Sequence, residues 1–71
     1  MKVLTRERKR CGWSKAELAR RARMNQVTVG QIENRLLVPY PVQLKKLAAA
    51  LSWDGDPEVL LEEVPINEEY R

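Results

Sequence analysis

The stretch from Ser14 to Asn34, SKAELARRARMNQVTVGQIEN, constrains the fold of this 71-residue chain more than any other. It contains two apolar patterns with helical spacing. The first is formed by Leu18, Ala19 and Ala22, and the second by Met24, Val29 and Ile32. Only residues 23–25 separate the two helical segments. Helices joined so closely cannot lie antiparallel, so they are predicted to cross at a large angle, as in a helix-turn-helix.

The second of these helices leaves a small, uncharged surface outside its apolar stripe. This surface consists of Gln26, Val27, Thr28, Gly30, Gln31 and Asn34. It is rich in hydrogen-bonding groups of the kind that read base edges, and a helix of this width fits the major groove. The pattern therefore indicates a surface that contacts DNA.

The charge is divided unevenly along the chain. Residues 1–35 carry ten Lys or Arg and three Glu, a net charge of +7, whereas residues 36–71 carry −4, which gives the overall +3. A basic half that contains the helix-turn-helix is typical of a protein that binds a polyanion. Charge alone would also fit a solvated surface, and it is the coincidence with the motif that favours binding.

Length and composition exclude several classes. The chain is one domain near the lower size limit for independent folding. One cysteine allows no internal disulfide, and the absence of histidine leaves almost no ligands for zinc, so no cofactor or metal is predicted. We expect a cytoplasmic protein, because there is no apolar run of about 18 residues and MKVLTRERKR lacks the features of a signal peptide. Few residues could form a catalytic site, so an enzyme is not expected.

Helix 1 is predicted from Lys2 to Arg10. Gly12 should end it, because glycine readily takes the left-handed conformation that follows many helices. Cys11 is expected to be a small buried hydrophobic residue, two turns after Leu4, rather than a reactive thiol.

Helix 2 has the sharpest start in the chain. Ser14 as the N-cap and Glu17 three residues later are predicted to form a capping box, in which the side chain of each accepts a hydrogen bond from the backbone N–H of the other. Trp13 can pack against Leu18 as a hydrophobic staple. The helix is predicted to run to about Ala22.

Helix 3 is predicted to begin after Asn25 as its N-cap and to end at about Asn34 or Arg35. Residues 36–41, LLVPYP, form a loop, because two prolines so close together exclude a helix interior. Helix 4 should then run from Pro41 to about Leu51. Its apolar stripe consists of Leu44, Leu47, Ala48 and Leu51.

A fifth helix is predicted from Pro57 to Glu63. Asp56 would cap it, Pro57 would occupy its first position and Pro65 would stop it. Its apolar residues would point inward or toward a partner, and Leu61 is a candidate for a dimer seam. The predicted domain spans residues 1–64, and residues 65–71 are expected to form a loose acidic tail.

From Leu4 to Leu61 the chain resembles the phage repressor and Cro (Xre-like) type of helix-turn-helix regulators. The matching residues are Arg8, Gly12, Ser14, Glu17, Leu18, Ala19, Val29, Ile32, Glu33, Asn34, Pro39, Leu44, Leu47, Ala48 and Leu51. The resemblance implies a compact, all-α, five-helix, lambda-repressor-like domain that is often dimeric. It also implies an ion pair between Arg8 and Glu33 that ties helix 1 to the end of helix 3.

The DNA-facing positions of that family fall on Lys15, Gln26, Val27, Thr28, Gln31, Asn34 and Arg35. The glutamines can bond adenine, and Val27 or Thr28 can meet a thymine methyl group. Lys15 adds a positive charge at the start of helix 2, where a phosphate is favoured. Arg35 could reach guanine or phosphate, whereas Asn34 is expected to bond the DNA backbone.

Three residues depart from the family pattern. Arg23 stands at the usual turn glycine, Lys15 replaces a common glutamine, and Glu7 stands at an apolar position of the first helix. We therefore expect a turn that is strained or differently shaped and a weaker anchor for helix 1.

The sequence thus predicts a DNA-binding transcriptional regulator, a repressor acting as a homodimer on a symmetric operator. The alternative is a protein-interaction module, such as an antitoxin-like or adaptor protein. Its contact surface would then be the apolar side of helix 5 or the side chains of Leu36, Leu37, Val38 and Tyr40.

Overall fold

The computed structural model describes residues 1–65 of the chain. Four α-helices are followed by a short 3₁₀ helix: α1 Val3–Arg10, α2 Lys15–Ala22, α3 Gln26–Glu33, α4 Pro41–Ala50 and 3₁₀ Pro57–Leu61. Within this range the β structure is limited to an isolated bridge between Lys2 and Glu63. The all-helical class is confirmed, and the boundaries of α1 to α4 lie within one or two residues of those predicted. The expected acidic tail falls, from residue 66 onward, outside the described residues.

Helix α2 lies at the centre of the packing. It contacts both α3 and α4, while the 3₁₀ helix packs against α1 and α4. Every element contributes to the core through a fully buried side chain. These are Leu4, Leu18, Val29, Ile32, Leu47 and Leu60. In this part of the chain no helix is long and apolar enough to span a membrane.

The predicted caps fix the starts of the two helices of the motif. Ser14 Oγ accepts a hydrogen bond from the Glu17 N–H at 3.0 Å, and Asn25 Oδ1 accepts one from the Val27 N–H at 2.8 Å. The second bond of the predicted capping box, from the Ser14 N–H to the Glu17 carboxylate, was predicted wrongly. The Glu17 carboxylate instead accepts hydrogen bonds from Arg20 and Arg21. Those guanidinium groups are its neighbours one turn later on the same helix, at i+3 and i+4.

The turn between α2 and α3 is built on Arg23 in the left-handed conformation, with φ 56° and ψ 49°. The Met24 N–H then reaches back to the Ala19 carbonyl at 2.8 Å. Glycine is the usual residue at such a position because a Cβ atom is disfavoured there. The turn therefore has the left-handed conformation common at helix C-termini, although Arg23 is an unfavourable residue for it.

The prediction of a fifth α-helix was wrong. Residues 57–61 form a 3₁₀ helix, and the chain then extends to pair with the N-terminal residues. The Val3 N–H donates to Glu62 O at 2.8 Å, and the Val64 N–H donates to Met1 O at 2.7 Å. Residues 62–64 find their backbone partners in this bridge and so cannot continue a helix.

Cys11 was predicted to be buried and is exposed. Helix α1 ends at Arg10, and the chain reverses through Gly12, whose φ is 74°. The half-buried Trp13 packs against the core where Cys11 was expected to lie. Glycine at position 12 plays the predicted helix-ending role.

Candidate nucleic-acid interface

Helix α3 has one buried face and one exposed face. Val29, Ile32 and Glu33 are buried, at 0%, 0% and 7% exposure. Since helical residues advance by about 100°, Val27, Gln31 and Asn34 lie on the opposite side, and all three are exposed. The exposed face therefore presents an apolar side chain between two amides.

The remaining predicted residues of α3 flank this face. Gln26 is exposed at the first position of the helix, and Thr28 is partly buried on the other edge. The structure thus brings the five predicted side chains of residues 26–34 onto one continuous surface, with Val27, Gln31 and Asn34 at its centre.

Lys15 joins this surface through Gly30. A Cβ atom built on Gly30 would lie 3.9 Å from Lys15 Cδ, so the lysine stem passes close over the glycine. Lys15 is the first residue of α2, and its side chain is half-buried. The stem of Lys15 therefore lies along one edge of the uncharged face of α3, beside the half-buried Gly30.

The N-terminus of α2 adds backbone donors to the same region. The first N–H groups of a helix have no intrahelical acceptor, and Ser14 satisfies the one on Glu17. The N–H groups of Lys15 and Ala16 can serve an external anion. Together with the Lys15 ammonium group and the helix dipole, they form an arrangement suited to a phosphate oxygen.

The structure places Arg35 differently from the other predicted residues. Its backbone is left-handed, with φ 63°, and its guanidinium group forms an exposed ion pair with Glu63, with Nε at 2.9 Å from Oε2. This pair lowers the pKa of the Glu63 carboxyl and raises the pKa of Arg35. Arg35 must exchange this carboxylate for a phosphate or a base in order to contact DNA.

A buried ion pair fixes the orientation of α3. Arg8 Nε donates to Glu33 Oε2 at 2.8 Å, and Arg8 Nη2 donates to Oε1 at 3.0 Å. The third nitrogen, Nη1, donates to the Trp13 carbonyl at 2.8 Å. The pair implied by the family resemblance is therefore present, and it also holds the loop that leads into α2.

Other arginines lie around the motif. Arg20, Arg21 and Arg23 are exposed, and the Arg21 guanidinium group lies 4.3 Å from the centre of the Trp13 ring. Hydrogen bonds from Arg20 first, and then from Arg21, lower the pKa of Glu17. The Glu17 carboxylate offsets part of the positive charge on α2.

Two features of the site were not foreseen. One sequence feature could have indicated the close approach of Lys15 to Gly30. Glycine weakens a helix, so a glycine in the middle of a short helix suggests that another group packs closely there. No sequence feature indicated the Arg35–Glu63 pair, because the partners are 28 residues apart in sequence. No cluster of residues able to hold a metal ion occurs in residues 1–65.

Comparison with known protein families identifies the domain to which these helices belong. A family model described as a helix-turn-helix domain matches residues 2–61, a range that includes α1 to α4 and the 3₁₀ helix. No curated protein and no solved structure matches the chain. The matched region covers most of the 71 residues, and the chain therefore belongs to this family of helix-turn-helix domains, a class of DNA-binding regulators.

Proposed function

We propose that this protein is a sequence-specific regulator of transcription, a repressor of the phage repressor and Cro type, that inserts α3 into the major groove of double-stranded DNA. The observation that carries this proposal is the exposed face of α3, centred on Val27, Gln31 and Asn34, with the stem of Lys15 packed beside Gly30 at its edge. The face is narrow and uncharged, and its rim is basic. A narrow, uncharged face suits contacts with base edges, and a basic rim suits contacts with phosphates.

The central side chains suit base readout. Gln31 can make two hydrogen bonds to the N6 and N7 atoms of adenine, and Val27, 65% exposed, can contact a thymine methyl group. Gln26 and Thr28 extend the same surface toward neighbouring base pairs. Each bidentate contact contributes about 1–3 kcal/mol of discrimination against the wrong base.

The phosphate contacts would come from the start of α2 and from the end of α3. Lys15 and the adjacent free N–H groups bind one phosphate, Asn34 bonds the DNA backbone, and Arg35 binds a second phosphate or a guanine after leaving Glu63. Such contacts set the position of the domain on the duplex and do not select its sequence.

A domain of this size has few contacts with one half-site. We assign it a homodimeric state on a palindromic operator whose half-sites are about one helical turn apart, as in other helix-turn-helix dimers. Repression follows where this operator overlaps a promoter. The single free thiol, Cys11, agrees with a cytoplasmic protein.

The test is selection of bound sequences from a random double-stranded DNA pool, followed by affinity measurements at two salt concentrations. We expect a palindromic motif and a steep salt dependence. Gln31→Ala or Gln26→Ala should change the preferred bases. Lys15→Ala should weaken binding to all sequences and make the salt slope shallower by about one. Lys46→Ala, an exposed lysine of α4, is the matched control and should change neither.

Recovery of no motif, or unchanged binding by the Lys15 and Gln31 variants, would show that this face does not read DNA. The second candidate function, a protein-interaction module, would then be favoured by the exposed apolar residues that follow α3. Leu36 and Val38 are 76% and 82% exposed. Copurification of a different protein, with DNA affinity no better than that of a nonspecific cation, would support it.

A further inference from the structure

A groove lies on the side of the molecule where the loop after α3 meets the 3₁₀ helix. Its volume is about 280 Å³, and its apolar walls include Val38, Pro39, Leu44 and Leu61. Lys45 lines it from α4, and Asp56 and Glu58 line it from the start of the 3₁₀ helix. One side of the groove is therefore basic and the other acidic.

The chain segment that lines one side of this groove carries large apolar side chains that face solvent. Val38, Tyr40 and Val42 are 82%, 71% and 60% exposed, all within five residues of the chain. Isolated exposed apolar residues are common on monomers, but a dense group beside a groove marks a contact surface. The segment thus offers both protruding side chains and a recess that can receive them.

The charges of the groove have no partners of their own. Among residues 1–65, neither the Lys45 ammonium group nor the Glu58 carboxylate forms an ion pair or a side-chain hydrogen bond. Asp56 Oδ1 accepts the capping bond from the Glu58 N–H at 3.0 Å, which leaves its other oxygen available. Each sign of charge is free to meet its opposite on another molecule.

We infer that this groove binds the same groove of a second copy of the chain across a two-fold axis, with Lys45 of each copy facing Asp56 and Glu58 of the other. A two-fold interface must be complementary to itself. A surface that carries positive and negative side chains, and protruding side chains beside a recess, meets that requirement. A groove lined by charges of a single sign would instead favour a partner of the opposite charge.

This inference rests on the homodimer part of the proposed function and deepens it by naming the surface. The segment 36–42 follows directly from α3. A dimer formed here therefore holds the two α3 helices in a fixed relation, which sets the spacing of the two half-sites.

The experiment measures the dimer dissociation constant of the DNA-free protein by sedimentation equilibrium. We expect the unmodified chain to dimerise, and Lys45→Glu and Glu58→Lys each to weaken the dimer at least about tenfold, because each places like charges opposite one another. Lys46→Glu makes the same charge change on α4 outside the groove walls and should leave the constant within about twofold.

Mixing the Lys45→Glu and Glu58→Lys variants is the decisive step. In the mixed dimer the two reversed charges face each other at one contact, and at the other contact the unchanged Lys45 of one copy faces the unchanged Glu58 of its partner. The unchanged contact is then attractive, and at the reversed contact the new pair of opposite charges offsets the repulsion from Asp56, so the heterodimer should be tighter than the homodimer of either variant. This recovery also shows that each variant is folded, and it cannot arise from contacts within one chain. A monomeric unmodified protein, a dimer insensitive to Lys45→Glu, or no recovery on mixing would overturn the inference.

Failure here is distinguishable from failure of DNA recognition. A monomer that still selects a half-site motif would leave the proposed function intact and remove this interface. A charge-sensitive dimer that selects no motif would keep the interface and remove the proposed function.

Discussion

Arg8 and Glu33 form a bidentate, buried ion pair that joins α1 to the last residue of α3. The two bonds are 2.8 and 3.0 Å long, and the side chains are only 10% and 3% exposed. No other ion pair of the described residues is so deeply buried. The proposed recognition helix is therefore oriented by a charge pair as well as by the apolar contacts of Val29 and Ile32.

Glu33→Ala should destabilise the fold by about 3–5 kcal/mol, because it leaves the Arg8 guanidinium group buried without its counter-charge. Urea denaturation followed by circular dichroism measures this loss. Glu62→Ala removes an exposed carboxylate and should change stability by less than about 0.5 kcal/mol. A loss below about 1 kcal/mol for Glu33→Ala would mean that Arg8 finds water or another acceptor.

The motif was predictable from sequence because its determinants are local. The caps Ser14 and Asn25, the left-handed Gly12 and the apolar spacing of α2 and α3 all act within a few residues. The Arg8–Glu33 pair came from family resemblance, since side chains 25 residues apart give no local signal. The DNA-facing roles assigned to α3 and Lys15 stay predictions.

The errors in the fifth helix and in Cys11 had different causes. The fifth helix was predicted from the Asp56–Pro57 start signal, which is correct as a start, but its end is decided by pairing with residues 1–3. Burial of Cys11 was inferred from its spacing after Leu4, whereas the reversal at Gly12 brings Trp13 to the core instead. Neither the terminal bridge nor this reversal can be read from periodicity.

The carboxyl group of Glu63 should titrate below its ordinary pKa of 4.5, chiefly because Arg35 hydrogen-bonds its charged form. A lowered pKa means that the stabilisation is present above the pKa of the unfolded chain and is lost as the pH falls through the lower, folded value. Carbon-13 NMR of the glutamate carboxyl groups measures the midpoint. The shift should shrink in high salt, because the pair is exposed.

Arg35→Ala should move the Glu63 midpoint back up, while Arg20→Ala should raise the midpoint of Glu17 and leave Glu63 unchanged. A Glu63 midpoint at or above 4.5 in the unmodified protein would contradict the ion pair.

Gly30→Ala should stabilise the protein by about 0.5–1 kcal/mol, because alanine favours the helix interior more than glycine does. The new methyl group would meet Lys15 Cδ at 3.9 Å, an ordinary contact. Thermal denaturation measures the gain. Ala49→Gly, the reverse exchange at an exposed position of α4, should lose a similar amount. Destabilisation by Gly30→Ala would show that Lys15 lies closer to α3 than the structure has it.

Arg23→Gly should stabilise the turn of the motif, since Arg23 has a left-handed backbone with φ 56° and ψ 49°. A residue with a Cβ atom is disfavoured by roughly 1–2 kcal/mol in that conformation, whereas glycine adopts it freely. Glycine also loses more chain entropy on folding, so we expect a net gain of about 0.5–1 kcal/mol.

Arg23→Ala is the matched control, because it removes the same charge but keeps the Cβ atom. Urea denaturation should place the glycine variant above the alanine variant by about 1 kcal/mol. Equal stabilities would mean that the turn does not require the left-handed conformation, and the short α2–α3 connection would then owe its shape to the packing of Met24 alone.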